Sequence, residues 1–100
     1  MEELVQIGKI LSDKNRIKIL ALMQRETELC VCEICDTLKL SQPLVSRHLK
    51  QMREADVVQT KQSGKWILYS LREHRIMNCF LDTIQTEMLK LPNIIQCKTR

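Results

Sequence analysis

Aromatic side chains are scarce in this chain, with one Phe, one Trp and one Tyr among 100 residues. Its apolar mass comes instead from Leu, Ile, Val and Met, which argues against an all-β sandwich and for a helical core. Glycine and proline number two each, and no low-complexity stretch or internal repeat interrupts the pattern. No apolar run approaches the roughly 20 residues that a membrane-spanning helix needs. The opening MEELVQIGKILSD is acidic and amphipathic and lacks the continuous apolar core of a signal peptide. A cytoplasmic protein with no membrane partner is therefore expected. Nothing resembles a nucleophile beside an activating base, or a phosphate-cradling loop, so an enzyme is not expected.

A chain of this length forms one small domain, and domains of this size often complete their core by oligomerising. The net charge of +4 is mild, but it is unevenly placed. Residues 1–40 carry six basic against seven acidic side chains, whereas residues 41–75 carry seven basic against three acidic. The basic excess marks the middle of the chain as a candidate nucleic-acid surface. Five cysteines are an odd count, unsuited to a fully paired disulfide framework. In a reducing compartment, clustered thiols point to metal or redox chemistry.

Helical periodicity places a first helix over roughly residues 2–12, through Leu4, Ile7, Ile10 and Leu11. Asp13 is a good N-cap for a second, and residues 24–29 read as a polar connection. Val31, Ile34 and Leu38 mark a short third helix. After a turn at Lys39-Leu40-Ser41, Ser41 can cap a fourth that carries Pro43 in its first turn and runs to about Ala55. Two β-rich runs, 57–62 and 66–71, flank Ser63-Gly64-Lys65 and form a hairpin. A last amphipathic helix is expected over about 73–90, with Met88 and Leu89 among its apolar positions and Pro92 ending it. The expected organisation is a domain over 1–90 and a tail over 91–100. Two short helices joined by a tight turn and followed by a basic hairpin describe a winged helix-turn-helix, mainly α with a β-hairpin wing.

The run Glu28-Leu29-Cys30-Val31-Cys32-Glu33-Ile34-Cys35 resembles the ELCVCDLC box of the ArsR/SmtB family of metalloregulatory repressors. Ser41-Gln42-Pro43 followed by Ser46-Arg47-His48-Leu49 is similar to the SQPxxSRHL pattern of that family's recognition helix. Gly64-Lys65-Trp66 with Tyr69 looks like its wing, and Leu11-Ser12-Asp13 with Arg16 and Ile19-Leu20 resembles its LSDPTRxxIL segment, with Lys14 in place of the usual Pro. The likeness covers roughly residues 10–72. It implies a homodimer, joined through the terminal helices, that represses from double-stranded operator DNA and leaves it when As(III) or Sb(III) binds. The family also includes zinc, cadmium, copper and sulfur-species sensors.

The candidate metal ligands are Cys30, Cys32 and Cys35. Cys32 and Cys35 are an i, i+3 pair and neighbours on a helix surface, and Cys30 precedes the helix with freedom to fold back over its first turn. Three thiolates so placed suit a trivalent, thiophilic ion, and drawing them together is expected to distort the start of the third helix. A thiol-redox or persulfide switch, or a cadmium or zinc sensor, are alternatives on the same fold. A protein-interaction module that has lost DNA binding is an alternative of another class. Cys79 reads as packing at a dimer interface, Cys97 as an exposed tail residue, and Asp82 with Glu87 as a solvated face.

The candidate DNA-binding set divides by chemistry. Gln42, Ser46 and Arg47 occupy the first turns of the fourth helix, where side chains reach base edges. Ser41, Lys50 and Arg53 suit phosphates, which position the protein without reading sequence. Lys61 and Lys65 would add wing contacts. His48, among Leu44, Val45, Leu49 and Met52, is expected to be a buried, hydrogen-bonded core residue. Trp66 and Tyr69 are expected to pack the wing against the body.

Overall fold

The computed structural model describes residues 1–87 and 93–95. Along the chain run α1 (Glu2–Leu11), α2 (Lys14–Arg25), β1 (Leu29–Cys30), α3 (Val31–Leu38), α4 (Gln42–Glu54), β2 (Val58–Ser63), β3 (Trp66–Leu71) and α5 (Asn78–Glu87). This is a winged helix-turn-helix with a three-stranded antiparallel sheet in the order β1-β3-β2. The stretch to Lys90, the Met88 and Leu89 positions, Glu87's solvated-face role, the stop at Pro92, the start of a tail at 91 and Cys97 lie outside the described residues or side chains.

Local chemistry fixes the first helix boundaries. Asp13 adopts extended backbone, and its carboxylate accepts from the N–H groups of Asn15 at 2.8 Å and Arg16 at 3.3 Å, starting α2. The turn between α3 and α4 is closed by Lys39 in the left-handed region at φ 57°, where the N–H groups of Lys39 and Leu40 both turn back to the Cys35 carbonyl. Ser41 then caps α4 through its hydroxyl, which accepts from Leu44 N–H at 3.4 Å, and Pro43 lies in the first turn, where no intrahelical donor is required.

Two expectations are corrected. The stretch 24–29 is not wholly a polar connection, because Leu29 is buried and enters β1 with Cys30, paired to Tyr69 and Leu68 of β3. The last helix begins at Asn78 rather than Glu73. The His74 imidazole intervenes: Nδ1 accepts from the N–H groups of Ile76 and Met77, both at 3.3 Å, and holds a turn that α5 follows.

The core forms where the elements converge. Ile7 and Ile10 from α1 meet Ile19, Leu20 and Leu22 of α2, which α5 covers with Ile84. Ile34 of α3 and Val45, Leu49 and Met52 of α4 complete it beneath Val57 and the strand residue Val58. Burying side chains of this size stabilises by about 1.5–3 kcal/mol each. That packing holds α3 against α4 and leaves α4's other face open.

Candidate nucleic-acid interface and thiol site

The open face of α4 gathers the predicted contacts. Ser41, Gln42, Ser46, Arg47, Lys50 and Arg53 are all exposed, while Val45, His48, Leu49 and Met52 are buried on the opposite side. The division follows helical periodicity at about 100° per residue. The positive end of the helix dipole and the side chains of the first turns thus point to the same open side.

The wing extends this surface. β2 and β3 pair in register from Val58↔Leu71 to Ser63↔Trp66, leaving Gly64 and Lys65 as a two-residue turn. Gly64 takes φ 61°, the first-position geometry that favours glycine in such turns. Lys65 is exposed, with its ammonium 5.6 Å from the centroid of the Trp66 ring. Lys61 is also exposed but engaged, its Nζ lying 2.9 Å from Glu28 Oε2. Tyr69 packs on the core as expected, whereas Trp66 is half-buried under the Lys65 side chain.

The thiol site is built at the junction of β1 and α3. Cys30 is nearly fully buried and is the N-cap of α3; its backbone N–H donates to Glu33 Oε1 at 3.1 Å, closing a capping box. The expected freedom of Cys30 to fold back is therefore absent: the β1–β3 ladder and the capping box both hold it. Its sulfur lies 3.4 Å from that of Cys32, which is half-buried on the first turn. Cys35, one turn further on, packs partly against the core. Burial pushes its thiol up from the ordinary range, and the neighbouring Asp36 carboxylate and Cys30 push in the same direction. The structure brings the Cys30 and Cys32 sulfurs together, with Cys35 near enough for Cys30 to act on its thiol. Among the described residues no three His, Cys, Asp or Glu side chains are gathered closely enough to hold a metal ion. Cys79 is exposed on α5, with its thiol 3.5 Å from the Arg75 carbonyl.

His48 is buried, as expected, and its Nδ1 lies 3.2 Å from Arg16 Nη1. Burial lowers its pKa and the charges of Arg16 and Arg47 lower it further, against the opposing effects of Asp13 and a Gln51 hydrogen bond. Arg16 itself was visible in the sequence only as part of a motif. Its bonds to Lys9, Ile10 and Gln51 had no sequence signal beyond its place one turn after the Asp13 cap.

The profile of the bacterial regulatory protein, arsR family, matches residues 13–60, the stretch from the α2 cap through the recognition helix into the wing. The chain belongs to this family. Among curated relatives, it is 43% identical over 70 residues to the arsenical resistance operon repressor of Escherichia coli, a match covering 70% of this chain and 60% of the relative. It is 39% identical over 70 residues to the cadmium resistance transcriptional regulatory protein CadC of Listeria innocua, covering 70% of this chain and 59% of the relative. The matched part thus spans about 60% of these relatives' own length. Among solved structures, HlyU from Vibrio cholerae superposes with a TM-score of 0.77 at 24% identity, covering 89% of this chain and 95% of that one. A homodimeric winged helix-turn-helix DNA-binding domain from Mycobacterium bovis gives 0.73 at 20% identity, covering 89% and 83%. The two relatives are a repressor and a transcriptional regulatory protein, and the Mycobacterium bovis neighbour is a DNA-binding domain.

Proposed function

We propose that this arsR-family chain is a cytoplasmic, homodimeric repressor that binds double-stranded operator DNA and leaves it when As(III) or Sb(III) is held by Cys30, Cys32 and Cys35. The observation that carries the reading is the Cys30–Cys32 sulfur pair, 3.4 Å apart at the start of the helix that packs on α4. Soft thiolates select thiophilic ions, and the E. coli relative is an arsenical resistance repressor. No helix among the described residues is long and apolar enough to cross a membrane. Exposed Leu4 and Val5 on α1 and Phe80 on α5 supply apolar surface on the terminal helices, in keeping with a dimer joined there. Ser41, Gln42, Ser46, Arg47, Lys50 and Arg53, with Lys61 and Lys65 of the wing, are the DNA contacts.

The mechanism follows from what is held and what can move. Because β1 and the capping box fix Cys30, adding Cys35 to the pair requires the first turn of α3 to shift. Ligation also removes the Cys35 thiol proton, which burial and Asp36 favour. A displaced α3 misplaces α4 and shifts the population toward a DNA-incompetent dimer. A coupling of about 1–3 kcal/mol changes affinity by roughly 5–150-fold.

Operator release by arsenite under reducing conditions tests this reading, with wild type beside separate Cys30→Ser, Cys32→Ser and Cys35→Ser variants. Release should fail or weaken in each variant, and unchanged release in all three would refute the site. The same assay with cadmium, zinc and a persulfide donor separates the metalloid reading from its alternatives, since the Listeria relative is a cadmium resistance regulator.

A further inference from the structure

Arg16, in the first turn of α2, engages each nitrogen of its guanidinium with a neighbouring element. Nε donates to the Ile10 carbonyl at 3.0 Å, an acceptor at the end of α1, and Nη2 donates at 2.8 Å to the Lys9 carbonyl, which the Ser12 N–H and hydroxyl also reach. Nη1 lies 2.8 Å from Gln51 Oε1, to which it donates, and 3.2 Å from His48 Nδ1, both on α4. Asp13, the cap of α2, holds the Arg16 backbone N–H at 3.3 Å, and its carboxylate stands 3.9 Å from His48 Nε2.

Around this side chain the two helices are separated by open space. A cleft of about 540 Å³ lies between Val5, Lys9 and Ile10 on one side and Gln51 and Glu54 on the other, with Arg16 in its lining. The guanidinium therefore bridges a gap that apolar packing does not fill. Its grip on α4 is also directional. At about 100° per residue, Gln51 lies about 40° round the helix from Arg47, and His48 continues that flank into the buried face. The Arg16 bonds thus reach the flank of α4 that lies next to Arg47.

We propose that Arg16 is a positioning residue, a strut that sets the rotation and tilt of α4 relative to α1. In the homodimer of the proposed function, on which this step rests, α1 is part of the interface. The strut then fixes the separation of the two recognition helices and so the half-site spacing that the protein accepts. The planar fork of an arginine, with five N–H donors in fixed directions, can serve α1 carbonyls and α4 side chains together. A lysine keeps the charge and cannot serve both sets in that geometry.

The test uses operators whose half-site separation is changed by one base pair in either direction, with wild type, Arg16→Lys and Gln51→Ala. Gln51→Ala leaves the α1 bonds of Arg16 in place and removes one α4 partner, so it serves if the arginine variant folds poorly. Wild type should reject the shifted operators by about 10-fold or more, within the usual range of coupling energies. The variants should fall to about 2–3-fold discrimination with their affinity for non-specific DNA unchanged. Folded, dimeric variants that keep the wild-type spacing preference, or that weaken every spacing alike, would overturn the strut. A wild type that binds no operator contradicts the proposed function instead, and the strut is then read from the protein alone. Amide chemical-shift changes in Arg16→Lys that run through residues 48–51 support it, and changes confined to α1 and α2 overturn it.

Discussion

Cys30 and Leu68 are register partners across the antiparallel β1–β3 ladder. The residue that caps α3 is therefore also joined to the second strand of the wing. In the proposed function, a ligand pulling on Cys30 would act on two parts together: α4 through its packing on α3, and the wing through the sheet. The proposed sensor and the wing share a strand pairing here as well as proximity in sequence.

That double role predicts a stability difference among the cysteines. Cys30→Ala removes the sulfur half of a buried capping box and should cost about 1 kcal/mol, within the range for lost N-caps. Cys30→Ser retains a capping acceptor and should lie nearer wild type. Cys79 caps no helix and is exposed in the single chain, so Cys79→Ser should cost less than Cys30→Ala. Denaturant unfolding of the reduced proteins checks this order. Equal losses for Cys30→Ala and Cys79→Ser would contradict the capping role.

How much was readable from sequence depends on how local the causes are. Asp13 starting α2, Ser41 with Pro43 starting α4, and Gly64 at the wing turn act within a few residues, so their signals are contiguous. The exposed side of α4 is equally legible, because periodicity alone separates Gln42, Ser46 and Arg47 from Val45, His48 and Leu49. Strand β1 is different: two residues carry no period, and its partner Leu68 lies far along the chain. The late start of α5 depends on the His74 side chain accepting backbone N–H groups, a choice that the apolar pattern does not encode. Arg16 reaches partners on α1 and α4 that only the fold brings to it. The cysteine cluster was legible as a candidate site, but the fixing of Cys30 by sheet and cap was not.

The wing offers a test in charge. Lys61 is paired with Glu28 at 2.9 Å, so a phosphate must compete with that carboxylate for the ammonium. Glu28→Gln should tighten operator binding several-fold at low salt, because the exposed pair itself contributes only about 0–1 kcal/mol to stability. Lys65→Ala should weaken binding across sequences and reduce the salt-dependence slope by about 1. Fluorescence anisotropy over a salt series reads both effects. Weaker binding by Glu28→Gln would remove Lys61 from the phosphate-contacting set.

On α4 the prediction separates reading from holding. Gln42→Ala and Arg47→Ala should each relax preference at one base position, with a loss of about 1–3 kcal/mol for a bidentate contact. Lys50→Ala and Arg53→Ala should weaken specific and non-specific DNA alike. Binding to a set of single-base operator variants distinguishes these patterns. A Gln42→Ala/Arg47→Ala double variant with full operator affinity would instead favour a module that does not use this helix on DNA.

His48 gives the pH dependence a definite sign. Its buried ring accepts the Arg16 N–H at Nδ1 only while neutral, and burial with the Arg16 and Arg47 charges keeps its pKa below the ordinary histidine value near 6.5. The unfolded chain therefore takes up this proton before the folded one does. Stability from the neutral ring is complete above that ordinary value and declines as pH falls through it toward the folded pKa, below which the loss is constant. Protonation in the folded state also sets a second cation against Arg16 and releases one hold on α4, so operator affinity should fall in the same direction. His48→Gln, which offers a neutral acceptor at every pH, should flatten both profiles between about pH 7.5 and 5 relative to wild type. Paired unfolding and operator-binding titrations would show this, and an unchanged wild-type slope in the variant would assign the pH dependence to other groups.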